Sequence, residues 1–136
     1  MKKKPLLLIV EDDSILAETM KDKFQEAGFT VKIIANGQLA LNYLKENIPQ
    51  VILLDLLLPQ IGGFDVLFEI KNDQKLKQIP VVIASNLDSE NDLNKGYALG
   101  AGDYIVKSNL SLSDLVQKVN FLFNMSQHGR NFLAQN

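Results

Sequence analysis

The feature that most limits what this chain can fold into is an alternation repeated five times. Short apolar runs stand at Leu6–Val10, Val31–Ile34, Val51–Leu54, Val81–Ala84 and Tyr104–Val106. Each suits a strand buried on both faces and is too short for a buried helix. Between them, apolar residues recur every three or four positions. The sets are Leu16, Met20, Phe24 and Ala27; Ala40, Leu41 and Leu44; Phe64, Leu67 and Ile70; and Leu112, Leu115, Val116, Val119, Leu122 and Phe123. That spacing lays an apolar stripe along one side of a helix. The stripe in Asp88–Leu99 is thinner (Leu93, Tyr97, Ala98), so this helix is the least marked. Strand and helix in strict alternation give a parallel sheet with helices on both faces.

The punctuation agrees. Gly28 stands where a helix C-terminal glycine belongs, and Asn36-Gly37 opens the second helix. Pro49 and Pro80 stand just before strands, and Ser111 or Ser113 suits the N-cap of the last helix. There is no internal repeat or interior linker. One domain is expected over residues 1–124. Residues 125–136 are polar and read as a frayed tail, a short helical extension or the stub of a linker.

In a doubly wound sheet, ligands sit beyond the carboxyl ends of the strands. Strand one is followed by Glu11, Asp12 and Asp13, strand three by Asp55, strand four by Ser85 and strand five by Lys107. Asp55 lies in the most apolar window of the chain, Val51–Leu58, where a charge is costly unless paired or bound to metal. Alone, it could be a buried acid that caps a helix or pairs with a lysine. The neighbouring strand ends favour another reading. Carboxylates about 5 Å apart repel by roughly 3 kcal/mol at an effective dielectric of about 20. A cation would relieve Glu11, Asp12 and Asp55, and hard oxygen ligands with room for water suit Mg2+. Lys107 is expected to supply a fixed positive charge on the other side of Asp55. Asp13 reads as ordinary N-terminal helix charge.

Composition narrows the chemistry further. The chain has no cysteine and one histidine, His128, which excludes thiolate chemistry, cysteine-bound zinc and a single-chain Ser-His-Asp triad. Net charge is -2, which argues against nucleic-acid binding by bulk charge. The basic start followed by Leu6–Val10 is no signal peptide, because the apolar run ends at once in Glu11-Asp12-Asp13. No run approaches a membrane span, and a cytoplasmic protein is expected. The remaining groups make a phosphoryl-transfer site. Asp55 is the nucleophile, Mg2+ offsets charge on the transferring oxygens, Lys107 binds one phosphoryl oxygen and the Ser85 hydroxyl donates to another. An ionised carboxylate needs no general base.

At these residues the chain resembles the receiver domain of bacterial two-component response regulators. The resemblance runs from about Pro5 to Phe123. It rests on Leu7-Leu8-Ile9-Val10-Glu11-Asp12, on Ala35-Asn36-Gly37 with Ala40-Leu41, and on Leu54-Asp55 with Pro59 and Gly63. Ser85, Gly100-Ala101 and Tyr104-Ile105-Val106-Lys107 complete the set. The resemblance implies a flavodoxin-like, three-layer fold with a five-stranded sheet in the order 2-1-3-4-5. It implies that Asp12 binds Mg2+ directly and Glu11 acts through water. Asp55 would bind Mg2+ and accept the phosphoryl group, with the Leu57 carbonyl as a further ligand. Ser85 and Tyr104 would form a switch pair acting on the face of the fourth helix, fifth strand and fifth helix. A surface aromatic is the plainer reading of Tyr104. The implied donor is a sensor histidine kinase or phosphotransfer protein. Output would pass to a protein target through the switch face, from a monomer or a weak phosphorylation-dependent dimer, without direct contact to nucleic acid or membrane.

Some positions depart from the family pattern. Ser108 follows Lys107 where proline in a cis peptide is common, so this peptide is either cis and strained or trans and differently shaped. Leu58 replaces a common methionine, and Gly62 replaces a common acid or amide. Leu57 and Leu87 flank the path of an attacking water and are both apolar, which suggests slow loss of the phosphoryl group. Among other classes, a haloacid-dehalogenase-type phosphotransferase or hydrolase needs a second aspartate two positions after the first, and Leu57 stands there. A flavin-binding module needs a phosphate-cradling loop after strand one, and Glu11-Asp12-Asp13 would repel phosphate. A degenerate, partner-binding receiver would not need the intact acidic pair, Asp55, Ser85 and Lys107.

Overall fold

A strand sends successive side chains to opposite faces of its sheet, so an apolar run inside the sheet must be covered on two sides; the run at Val31–Ile34 departs from that expectation, because it lies at the sheet edge with Lys32 exposed. The computed structural model describes the backbone of residues 3–135 and the side chains of residues 3–127. The five runs form β1 (Leu6–Val10), β2 (Thr30–Ile34), β3 (Val51–Leu54), β4 (Val81–Ser85) and β5 (Asp103–Val106). The segments between them form α1 (Ser14–Glu26), α2 (Gly37–Leu44), α3 (Gly63–Lys71), α4 (Glu90–Ala98) and α5 (Leu112–Gln135). A 3-10 turn, Lys107–Asn109, joins β5 to α5.

All the strands pair in parallel, in the order β2-β1-β3-β4-β5, as the resemblance implies. Their alternate residues divide between two cores. Leu7, Ile9, Val51, Leu53, Val82, Ala84 and Ile105 pack with Met20 and Phe24 of α1 and with Leu115 and Val119 of α5. Leu8, Val10, Ile52, Leu54, Val81, Ile83 and Tyr104 pack with Ala40 and Leu44 of α2 and with Val66, Leu67 and Ile70 of α3. Two faces, each covered by helices, make the three-layer sandwich.

The caps explain where the helices start. Asp13 accepts from the Leu16 N–H at 3.1 Å and caps α1, the local role read for it in the sequence. Asn36 accepts from the Leu39 N–H at 2.8 Å, and Ser111 from the Asp114 N–H at 3.1 Å. Gly28, just past α1, takes a φ of +102°. The weakly marked fourth helix is present and shorter than Asp88–Leu99. It starts where Ser89 accepts from the Asp92 N–H at 3.1 Å and donates to the Asp92 carboxylate at 2.7 Å. Past residue 124 the backbone stays helical to Gln135. The side chains of residues 128–136, His128 among them, lie outside the described residues.

Candidate functional site

Register decides which strand ends meet. Val10 pairs with Leu54, so Glu11 and Asp55 leave β1 and β3 level with each other. The Asp55 N–H donates to the Val10 carbonyl at 3.0 Å, which ties the two chain ends together. Ser85 pairs with Val106, so Lys107 emerges one step beyond it. β1 lies between β2 and β3, and chain order reverses there. Asp55 therefore stands at the topological switch point.

Glu11 and Asp55 are both buried, at 2% and 7% exposure, while Asp12 is exposed. One oxygen from each of Glu11, Asp12 and Asp55 lies within 4.8 Å of the others. Lys107 does not stand on the far side of Asp55, as the sequence suggested. Its ammonium donates to Glu11 Oε1 and, at 3.2 Å, to Asp55 Oδ2. The physical reason is that two buried carboxylates side by side draw the nearest cation between them. The 3-10 turn at Lys107–Asn109 lets the ammonium reach both. No peptide bond among the described residues is cis, so the Lys107–Ser108 bond is trans.

The remaining carboxylate oxygens are held by backbone. Glu11 Oε2 accepts from the Asp12 N–H at 3.1 Å, and Asp55 Oδ1 from the Leu57 N–H at 3.2 Å. Burial, and then the neighbouring Asp55, push the Glu11 carboxyl up to about 7 despite Lys107. For Lys107, burial pulls the ammonium down, but its bonds and charges with Glu11 and Asp55 outweigh that and leave it raised.

Ser85 is fully buried. Its Oγ accepts from the Leu87 N–H at 3.3 Å, and the Leu87 carbonyl accepts from the Tyr104 hydroxyl at 2.6 Å. The two residues of the expected switch pair thus meet through the peptide groups of Leu87. The sequence singled out Leu87 for its apolar side chain. Nothing in it signalled this backbone link, which depends on the path of the loop after β4. Tyr104 is 7% exposed and belongs to the core, so the surface-aromatic reading is wrong. Burial, and then Asp92, Asp88 and Asp55, push its phenol up to about 12. Leu57, by contrast, is 55% exposed.

One close approach shapes the site from below. The N-terminus of α3 lies against the C-terminal end of β3, and the Gly63 N–H donates to the Leu56 carbonyl at 3.0 Å. A Cβ on Gly63 would lie 2.3 Å from the Asp55 carbonyl oxygen and 2.5 Å from Leu56 Cα. Only glycine fits. Beside it, Gln60 holds a φ of +66°, a left-handed conformation that L side chains rarely adopt.

Fold and site together define a receiver. The chain belongs to the response regulator receiver domain family, whose model matches residues 7–120. A curated relative is the "Probable methanogenesis regulatory protein FilR2" of Methanothrix harundinacea. It is 35% identical over 122 residues, which cover 84% of this chain and 78% of that protein. The chain spans 50% of the length of two transcriptional regulators it also matches. Among solved structures, the Francisella response regulator 1452 receiver domain superposes with a TM-score of 0.82 at 31% identity, covering 90% of this chain and 98% of that one. The Mn(2+)-bound form of response regulator Rcp1 gives 0.73 at 29%, covering 95% and 94%. The dehalogenase alternative gains no support from these matches, and Leu57 stands where its second aspartate would be.

Proposed function

We propose that Asp55 accepts a phosphoryl group from a phosphohistidine of a sensor histidine kinase or phosphotransfer protein, and that the chain signals by the conformational change that follows. The observation that carries this reading is the pair of buried carboxylates at the switch point, Glu11 and Asp55, joined by one lysine. Lys107 spans Glu11 and Asp55, with Asp12 beside them, where a doubly wound sheet binds its ligands. An Asp55 oxygen forms the new bond to phosphorus, the P–N bond to the donor imidazole breaks, and the imidazole keeps the electron pair. Lys107 turns from the carboxylates toward a phosphoryl oxygen, and the Ser85 hydroxyl donates to another.

Glu11, Asp12 and Asp55 suit Mg2+. Three hard oxygens lie within reach of one ion, and the upward shift of Glu11 marks a charge that a cation would relieve. Asp12, Asp55 and the Leu57 carbonyl would hold it directly, and Glu11 would act through water. When bound, the ion neutralises charge on the transferring oxygens. The Rcp1 structure holds Mn2+, a cation of the same hard class.

Residues 1–124 act as the receiver unit and residues 125–136 as a polar extension or linker stub. Phosphorylation and its reversal are self-catalysed and Mg2+-dependent, so the chain is a signalling domain rather than an enzyme. It works in the cytoplasm. Its target is a protein that docks on the α4, β5 and α5 face, and it is a monomer or a weak phosphorylation-dependent dimer. No helix among the described residues is long and apolar enough to cross a membrane.

The roles are tested by titrating beryllofluoride, a phosphoryl mimic, with Mg2+ and following amide chemical shifts. Shifts should centre on Asp55, Ser85, Leu87 and Tyr104. Asp12→Asn should raise the Mg2+ needed by at least about tenfold, and Lys107→Met should weaken the complex. Binding that survives Asp12→Asn and Lys107→Met unchanged would contradict these assignments.

A further inference from the structure

Gly96 is the buried residue of α4, a helix whose other residues stay at or near the surface. A glycine in a helix interior weakens the helix, so its place needs a reason. A Cβ built there would lie 2.8 Å from Ile83 Cδ1, 2.9 Å from Tyr104 Cδ2 and 3.3 Å from Tyr104 Cε2. The bare Cα is therefore the floor on which the Tyr104 ring lies.

The next residue grips the same tyrosine from its backbone side. The Tyr97 hydroxyl accepts from the Tyr104 N–H at 3.2 Å and donates to Asp103 Oδ1 at 3.2 Å. At its far end Tyr104 donates to the Leu87 carbonyl, and the Leu87 N–H donates to Ser85. Tyr104 is thus held at three points, and Gly96 supplies the one that is purely steric. Of the two side chains that an added methyl would strike, Ile83 is fully buried on β4 between two paired strands. Tyr104 stands on β5, the edge strand of the sheet, with its hydroxyl on a loop. The ring is the group that can leave.

We propose that Gly96 is a positioning residue for Tyr104. It admits the ring to the core, and through the Tyr104–Leu87–Ser85 link it sets how tightly the Asp55 site holds a phosphoryl group. The second half rests on the function proposed above; the first does not.

The test uses the full chain labelled with 3-fluorotyrosine, which reports on Tyr43, Tyr97 and Tyr104, each assigned by its Tyr→Phe variant. Without Mg2+ or beryllofluoride, the Tyr104 fluorine should be protected from solvent in the native chain and exposed in Gly96→Ala. Adding Ile83→Val removes the Cδ1 atom and should restore protection in part, while Tyr104→Ala removes the ring contacts and should relieve most of the strain of Gly96→Ala, leaving the Ile83 contact. A fluorine that stays protected in a folded Gly96→Ala chain overturns the positioning role. In the second arm, Gly96→Ala should lower beryllofluoride affinity about tenfold, and should have no such effect in the Tyr104→Ala background. Ring release without loss of affinity overturns the coupling. If the native chain binds no beryllofluoride, the proposed function fails while the fluorine result stands by itself.

Discussion

Glu11 is the residue whose environment is most at odds with its charge. Its carboxyl ionises near 7 in the folded chain because it is buried and faces Asp55, against 4.5 ordinarily. An acid with a raised folded value holds its proton more tightly when folded. The stability this gives is fully present below the ordinary value and is lost as pH rises through about 7. The loss amounts to about 3 kcal/mol. In EDTA, the native chain should therefore lose stability relative to Glu11→Gln between about pH 5 and about pH 8, and saturating Mg2+ should narrow the gap. Parallel denaturation profiles for the two chains would contradict this. Leu57 carries a second expectation at this scale. Leu57 and Leu87 offer no side-chain hydrogen bond to orient a water, so the phosphorylated chain should decay over many minutes, and Leu57→Asn should hasten it about tenfold. The exposure of Leu57 makes it the more accessible of the two to test. Decay within seconds in the native chain would refute the screening role.

Among the elements, α3 is the one fitted most closely to the site. Gly63→Ala puts a methyl into the backbone of Asp55 and Leu56 and should cost about 2–4 kcal/mol in urea denaturation. Gly62→Ala is the control. Its nearest neighbour would be the Leu56 carbonyl at 3.8 Å, and its φ of -70° suits any residue, so it should stay within about 0.5 kcal/mol of native. Equal losses from both would show that loop entropy, not contact, governs this turn. The elements themselves were largely legible in the sequence. Every apolar run became a strand; in β1, β3 and β4 burial on both faces leaves its mark in composition, whereas the edge strand β2 keeps Thr30 and Lys32 exposed. The fourth helix was weakly marked for a physical reason: its one fully buried contact is a glycine against an aromatic ring, which thins the apolar stripe. The Ser89-x-x-Asp92 cap was a signal that could have placed its start. The positions of Lys107 and Tyr104 were less legible. One depends on the 3-10 turn after β5, the other on a loop carbonyl and a gap in α4, and neither has a residue-type signature.

For the whole molecule, the two half-cores are what make the site possible. They fix β1, β3, β4 and β5 in register, and the register brings Glu11, Asp55 and Ser85 to one edge, with Lys107 added by the turn after β5. The acids are thus held together against their repulsion by packing that lies elsewhere, with Lys107 as partial relief. This convergence was legible in the residues at the strand ends, because it follows from strand order. The division of labour within the cluster, where buried Glu11 binds the lysine and exposed Asp12 is left facing outward, was not legible there. On the function proposed above, that arrangement takes a divalent cation and then a phosphoryl group on Asp55. The most direct measurement is incubation with acetyl phosphate and Mg2+, followed by intact mass and mapping of the modified peptide. One phosphoryl group is expected, on Asp55, absent with EDTA and absent in Asp55→Asn. A chain that gains no phosphoryl group, or gains it equally without Mg2+ or in Asp55→Asn, would contradict it.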